Sequence, residues 1–142
     1  MKITMVPREE ISRIWPKVEL MIAKSLPYAK GRYSIADIYI DLLRGDQTLW
    51  IAFDDDAFIY GAVTIRIVNY PNFRVLRLET LGGQNVRRWL RDGFNVMVSY
   101  ATTMGCQKIE AFGRPQWGRF FARLGLKPFA IQYEHNLELK EQ

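Results

Sequence analysis

The chain has 142 residues, 49% hydrophobic and 25% charged, which suits one soluble globular domain over residues 1–142 rather than two. No stretch reaches the roughly 18 apolar residues of a membrane span and the start lacks a secretory signal's apolar run, so no membrane and a cytoplasmic setting are expected. A lone Cys106 and a lone His135 exclude an internal disulfide and a cysteine-rich zinc site, and the net charge of +5 is spread from Lys2 to Lys140 without a basic block.

Ile3 to Val6 reads as a short strand. Pro7 with Arg8-Glu9-Glu10 then opens a helical stretch in which Ile11, Ile14, Trp15, Val18, Met21 and Ile22 share one face. Pro16 predicts a break after Trp15 and hence two short helices. Pro27 and Gly31 mark a loop, and Ser34 to Asp37 reads as a cap for a helix through Ile38–Arg44 that stops at Gly45. Leu49 to Phe53 and Phe58 to Val68 form a predicted hairpin around Asp54-Asp55-Asp56. Successive carboxylates in a turn do not converge on one point, so a solvated tip is expected there rather than a metal site.

Val75 to Leu81 is the next strand, and Trp89, Gly93, Met97, Tyr100, Ala101 and Met104 trace an amphipathic helix after it. Lys108 to Phe112 reads as a strand. A helix from Gln116 to Leu124 follows, ended by Gly125 with Leu126 placed for a Schellman contact. Pro128 to Leu139 is strand-like. Cys106 reads as a small apolar side chain and His135 as structural or surface. The order of elements predicts an α+β architecture, a central mixed, mostly antiparallel sheet flanked by helices.

Between the Val75 strand and its helix lies Thr80-Leu81-Gly82-Gly83-Gln84-Asn85-Val86-Arg87-Arg88-Trp89. A strand ending in glycines at a helix start presents free N–H groups at the positive end of the helix dipole. Arg87, Arg88 and Arg91 follow, which suits a phosphorylated ligand. Two readings stand side by side: a ligand cradle, or glycines that serve only to turn the chain. Trp89 likewise either anchors the core, which its helical spacing favours, or walls a ligand groove. Arg114, Arg119 and Arg123 form a second basic cluster, and both clusters also fit solvated helix faces.

The whole-chain order resembles the GNAT superfamily of N-acyltransferases. Ala101 to Glu110 is similar to that superfamily's helix-to-strand passage, and Gly113 to Leu126 to its last helix. Gly113-Arg114 with Trp117 and Arg119 is more narrowly similar to GNAT-like proteins of tailed bacteriophages. The resemblance implies transfer of an acetyl group from acetyl-CoA to a small-molecule or protein amine, with the cofactor held by Leu81, Gly82, Gly83, Gln84, Asn85, Val86, Arg87 and Arg88. The superfamily's loop motif, Gln/Arg-x-x-Gly-x-Gly/Ala, is degenerate here: aligned on Gln84, it puts Arg87 at the first glycine and Trp89 at the final small residue.

Such chemistry requires alignment, a base for the ammonium proton and a donor for the leaving thiolate. Glu79 is the candidate base, with Glu110 behind it. Alternation also places Glu79 on the face of Arg77, as an ion pair would require. The last helix lacks the tyrosine that many superfamily members use as donor, which leaves Tyr133, or Tyr100, to substitute. A non-catalytic GNAT-like module binding a phage or host protein, in the host cytoplasm or in a virion, is the second reading. Nucleic acid ranks third, supported by basic balance alone.

Overall fold

The computed structural model describes residues 1–113 and 117–138. Five strands, β1 (Lys2–Met5), β2 (Thr48–Phe53), β3 (Ile59–Asn69), β4 (Arg74–Gly83) and β5 (Lys108–Ala111), form one sheet in sequence order. The pairs are antiparallel except β4 with β5, which is parallel. Helices α1 (Ile11–Ala23) and α2 (Ile35–Arg44) cover one face. Helix α3 (Val86–Thr103) covers the other, and α4 (Gly118–Arg123) follows β5. The α+β architecture is the one expected.

Alternation along the central strands divides the core. Leu49, Ile51 and Ala62 join Ile11, Ile14, Trp15, Val18, Ile22, Ile38 and Leu42 under α1 and α2. Trp50, Ile65 and Leu76 meet Met97 and Ala101 of α3 on the reverse face, where Cys106 is a half-buried packing residue.

Local signals set most boundaries. Ser34 and Asp37 form a complete capping box for α2, and Gly45 ends it at φ +81°. The Asp54 carboxylate accepts from the N–H groups of Asp56 and Phe58, so it ties the β2–β3 hairpin tip. After α4, Leu126 N–H donates to Phe121 C=O and Gly125 N–H to Ala122 C=O, the expected Schellman pair. No cluster of metal-ligating side chains occurs among the described residues.

Two expectations fail. Pro16 does not divide α1, which runs unbroken from Ile11 to Ala23. The proline is exposed, so the carbonyl it leaves free lies on the solvent side, while Ile11, Ile14, Trp15, Val18 and Ile22 hold the buried face together. The predicted C-terminal strand is also absent: residues 128–138 have no regular structure and are exposed. Its sequence pattern is that of a strand, but no strand among the described residues pairs with it, and the ion pair with Arg32 ties Glu134 to the body. Arg114, Pro115, Gln116 and Leu139, which belong to readings made above, lie outside the described residues.

Trp89 is 2% exposed, and its indole N–H donates to Gln84 C=O at 2.9 Å. The ring lies against Gly61, where any Cβ would come within 2.2 Å of it. It is the core anchor. Trp89→Ala is therefore expected to cost about 3–5 kcal/mol in denaturant unfolding, the range for emptying a large aromatic site. A variant as stable as the wild type would contradict the anchor.

Candidate functional site

β4 is longer than its parallel partner. Pairing with β5 runs from Val75 with Lys108 to Leu78 with Ala111 and ends there, whereas pairing with β3 continues to Gly83 with Gly61. The second edge of β4 from Glu79 to Gly83 is therefore left without a neighbouring strand among the described residues. Unpaired strand N–H and C=O groups need another partner. Beside this edge lies a cleft of about 180 Å3, lined by Met21, Lys24 and Ser25 from the end of α1, Leu81 to Gly83, Val86 and Trp117.

The glycines of the cradle are explained by packing. A Cβ on Gly82 would come within 2.2 Å of Met21 O, and one on Gly83 within 2.2 Å of Tyr60 O. Both still belong to β4, and the turn into α3 is made by Asn85 at φ +52°. Hydrogen bonds lock this turn. Gln84 N–H donates to Tyr60 C=O, Arg88 N–H to Asn85 C=O and the Trp89 indole to Gln84 C=O. The Trp89 ring thus supports the loop from within the core instead of closing the groove.

Arg87 and Arg88 flank the first turn of α3. The Arg87 guanidinium lies 5.8 Å from the Phe120 ring centroid and that of Arg88 lies 5.5 Å from Tyr60. Arg91 instead bonds to the Arg123 carbonyl. Two placed guanidiniums and the positive end of an 18-residue helix make this corner favourable for an anion.

Where β5 leaves, a polar network crosses the face that α1 and α2 cover. The register shifts between Thr64 and Ile65, whose partners are Thr80 and Leu78, so Glu79 is the extra residue of a bulge. Its side chain is only 6% exposed. Oε1 accepts from Arg66 Nε at 3.2 Å and lies 3.7 Å from Arg77 Nη1, while Oε2 accepts from the Tyr33 hydroxyl at 3.4 Å. Arg66 bonds to Asp41 at 2.6 Å, and Arg77 to Glu110 at 2.8 Å and to Tyr70 at 2.6 Å. The ion pair anticipated for Glu79 is present, and Glu110 belongs to the same array.

Tyr133 is 86% exposed in the irregular C-terminal segment, beside the Glu134 that pairs with Arg32, and no contact of its own with Glu79 is described. Tyr100 packs edge-on against Trp50 in the second core. The tyrosine that does reach Glu79 is Tyr33, which the sequence analysis missed. The usable signal was its place just before the Ser34 cap, where the capping box fixes the chain entering α2.

No protein-family model matches the chain, and no curated protein sequence matches it. Its fold is similar to that of an aminoglycoside N-acetyltransferase in complex with CoA, with a TM-score of 0.71 at 14% identity, covering 97% of this chain and 95% of the other. It is also similar to a probable acetyltransferase, with a TM-score of 0.70 at 13% identity over 100% of both chains. A ribosomal-protein-alanine N-acetyltransferase from Brucella melitensis biovar Abortus 2308 gives 0.68 at 14% identity, covering 96% of this chain and 100% of the other. The five-stranded mixed sheet with its flanking helices is the fold of the GNAT acetyltransferases.

The network makes stability depend on pH in two directions. Asp41 is held below the usual carboxylate range, first by the Gln47 amide and then by Arg66, against the opposing effect of burial. Its stabilisation is present above the unfolded value of 3.8 and is lost as pH falls through the lower folded value. Gln47→Leu should therefore be less stable than wild type near neutrality, with the difference closing in acid. Tyr33 is pushed up by burial and then by the negative charge of Glu79. That contribution is complete below the unfolded value of 10.0 and is lost as pH rises through the higher folded value, so Tyr33→Phe should flatten the alkaline limb. Denaturant titrations across both limbs check the two signs.

Proposed function

We propose that this protein is a GNAT N-acyltransferase that takes acetyl-CoA beside the free edge of β4 and transfers its acetyl group to an amine. The observation that carries the reading is the β4 edge from Glu79 to Gly83, left unpaired where β5 departs and opening on the cleft of about 180 Å3. An extended chain bearing amides, as the pantetheine arm is, satisfies such an edge as an added strand would. The groups around the edge suit the rest of the molecule. Leu81 to Val86 would supply backbone at the helix start, Arg87 and Arg88 would hold the diphosphate, and Lys24 would add positive charge from the end of α1.

Acetyl-CoA supplies the activated thioester, and the chain's own residues supply alignment and proton transfer. Glu79, at the point where the edge becomes free, accepts the ammonium proton after exchanging one of its guanidinium partners for the acceptor. Arg66, Arg77 and Tyr33 hold its carboxylate until then. Tyr33, whose hydroxyl donates to Glu79 Oε2, would supply the proton to the thiolate in place of Tyr133.

A second reading rests on a specific observation: both oxygens of Glu79 are already engaged. In that case the fold serves as a non-catalytic module for a protein partner, of phage or host origin, in the cytoplasm or a virion.

Titration calorimetry with acetyl-CoA should give a binding heat and a raised melting temperature. Arg87→Ala with Arg88→Ala should weaken binding by about tenfold or more, as loss of a charged hydrogen bond worth about 1.5–3 kcal/mol requires. Thiol release across a panel of amines then reads transfer. Binding without release for any amine favours the module, and no heat at millimolar acetyl-CoA with an unshifted melting temperature overturns the proposal.

A further inference from the structure

Helix α1 turns a basic stripe to water. Arg13, Lys17, Leu20 and, just past the helix end, Lys24 recur at intervals of four, three and four residues, which puts them on one face, and all four are exposed. From Ile11 to Tyr33 five lysines and arginines stand against one glutamate, a formal charge of +4 in a chain whose net charge is +5. Arg13 pairs with Glu10 and Arg32 with Glu134, but Lys17, Lys24 and Lys30 have no carboxylate partner among the described residues. Within the stripe Leu20 is 76% exposed. The stripe ends at the cleft beside β4, where Lys24 lines one side and Val86, followed by Arg87 and Arg88, lines the other.

We propose that the stripe seats a small acidic protein that carries the acyl group on a phosphopantetheine arm, and that this carrier is a better donor than free acetyl-CoA. The proposal rests on the reading of the β4 edge as the pantetheine site, since both donors bear the same arm. The phosphate end favours the carrier. A diphosphate is held by several free N–H groups, but Gln84 N–H is engaged by Tyr60 C=O and Arg88 N–H by Asn85 C=O. An arm attached to a protein carries a single phosphodiester, whose one charge Lys24, Arg87 or Arg88 can pair. The unpaired cations also continue along α1 for about 10 Å from Lys24 to Lys17, away from the cleft, where an acidic protein surface complements them. A bilayer fits less well, because the continuous apolar face of α1 is buried against the sheet. A nucleic-acid backbone offers nothing apolar to Leu20. In the transfer the amine nitrogen bonds to the acyl carbon and the C–S bond breaks with its electron pair going to sulfur. Of the two protons the ammonium loses, one ends on the thiol, which stays on the carrier, and one goes to water.

Titration calorimetry with an acidic acyl carrier protein bearing acetyl-phosphopantetheine, beside acetyl-CoA, tests the stripe. The acetyl-carrier should bind about tenfold tighter than acetyl-CoA and lose affinity as salt is raised. Lys17→Glu with Leu20→Ser, at exposed positions outside the cleft, should weaken the acetyl-carrier by about tenfold and leave the acetyl-CoA heat unchanged. Lys17→Arg, which keeps the charge, should retain the wild-type affinity. Acetyl-CoA binding as tightly as the acetyl-carrier, or a carrier affinity indifferent to the double substitution, would overturn the proposal and leave transfer from CoA standing. Tighter binding of anionic phospholipid vesicles or duplex DNA than of the acetyl-carrier would overturn it as well. No heat with either donor overturns both this proposal and the reading on which it rests.

Discussion

Backbone hydrogen bonding along β4 is the constraint from which the rest of the site descends. Among the described residues the strand has neighbours on both edges up to Leu78 and on one edge from Glu79 to Gly83. Hydrogen-bond groups on the bare stretch need a partner, and the sheet does not supply one. The bulge at Glu79 marks the change, since the extra residue alters the twist of β4 where β5 departs. The cleft, the placement of Glu79 and the approach of α1 to Gly82 all follow from where the parallel pairing ends.

Electrostatics on the α1 and α2 face is shaped by the same region. Arg66 and Arg77 stand directly opposite each other across β3 and β4, an arrangement of like charges that is unfavourable alone. Glu79 lies between them, and Asp41 and Glu110 flank them from α2 and β5. These carboxylates turn a repulsive pair into an alternating array. Glu79 is therefore not idle, and any further partner must compete with guanidinium groups for it.

Readings based on short-range chemistry held well. The capping box at Ser34, the αL glycines at 45 and 125, the Asp54 hairpin tip and the buried stripe of α3 all depend on residues a few positions apart, which a linear sequence displays. Pro16 was misread because its effect depends on the face it occupies. Exposed on a helix whose other side is deeply packed, it removes a hydrogen bond without ending the helix. Trp89, at the final small position of the loop motif, is the core anchor that its helical spacing favoured: its indole fills the space above Gly61 and braces Gln84.

By itself, the sequence determined the α+β class, the order of the five strands, the buried face of α1 and the basic corner at the start of α3, because periodicity, caps and turn residues are local properties. The tertiary structure alone decided that Tyr33 and not Tyr133 meets Glu79, 46 residues away in the chain. It also decided that Gly82 and Gly83 are required by Met21 and Tyr60, and that the strand pattern after Pro128 has no paired strand among the described residues. Each is a matter of which distant backbone comes alongside, and strand pairing is a contact between segments that no single segment encodes.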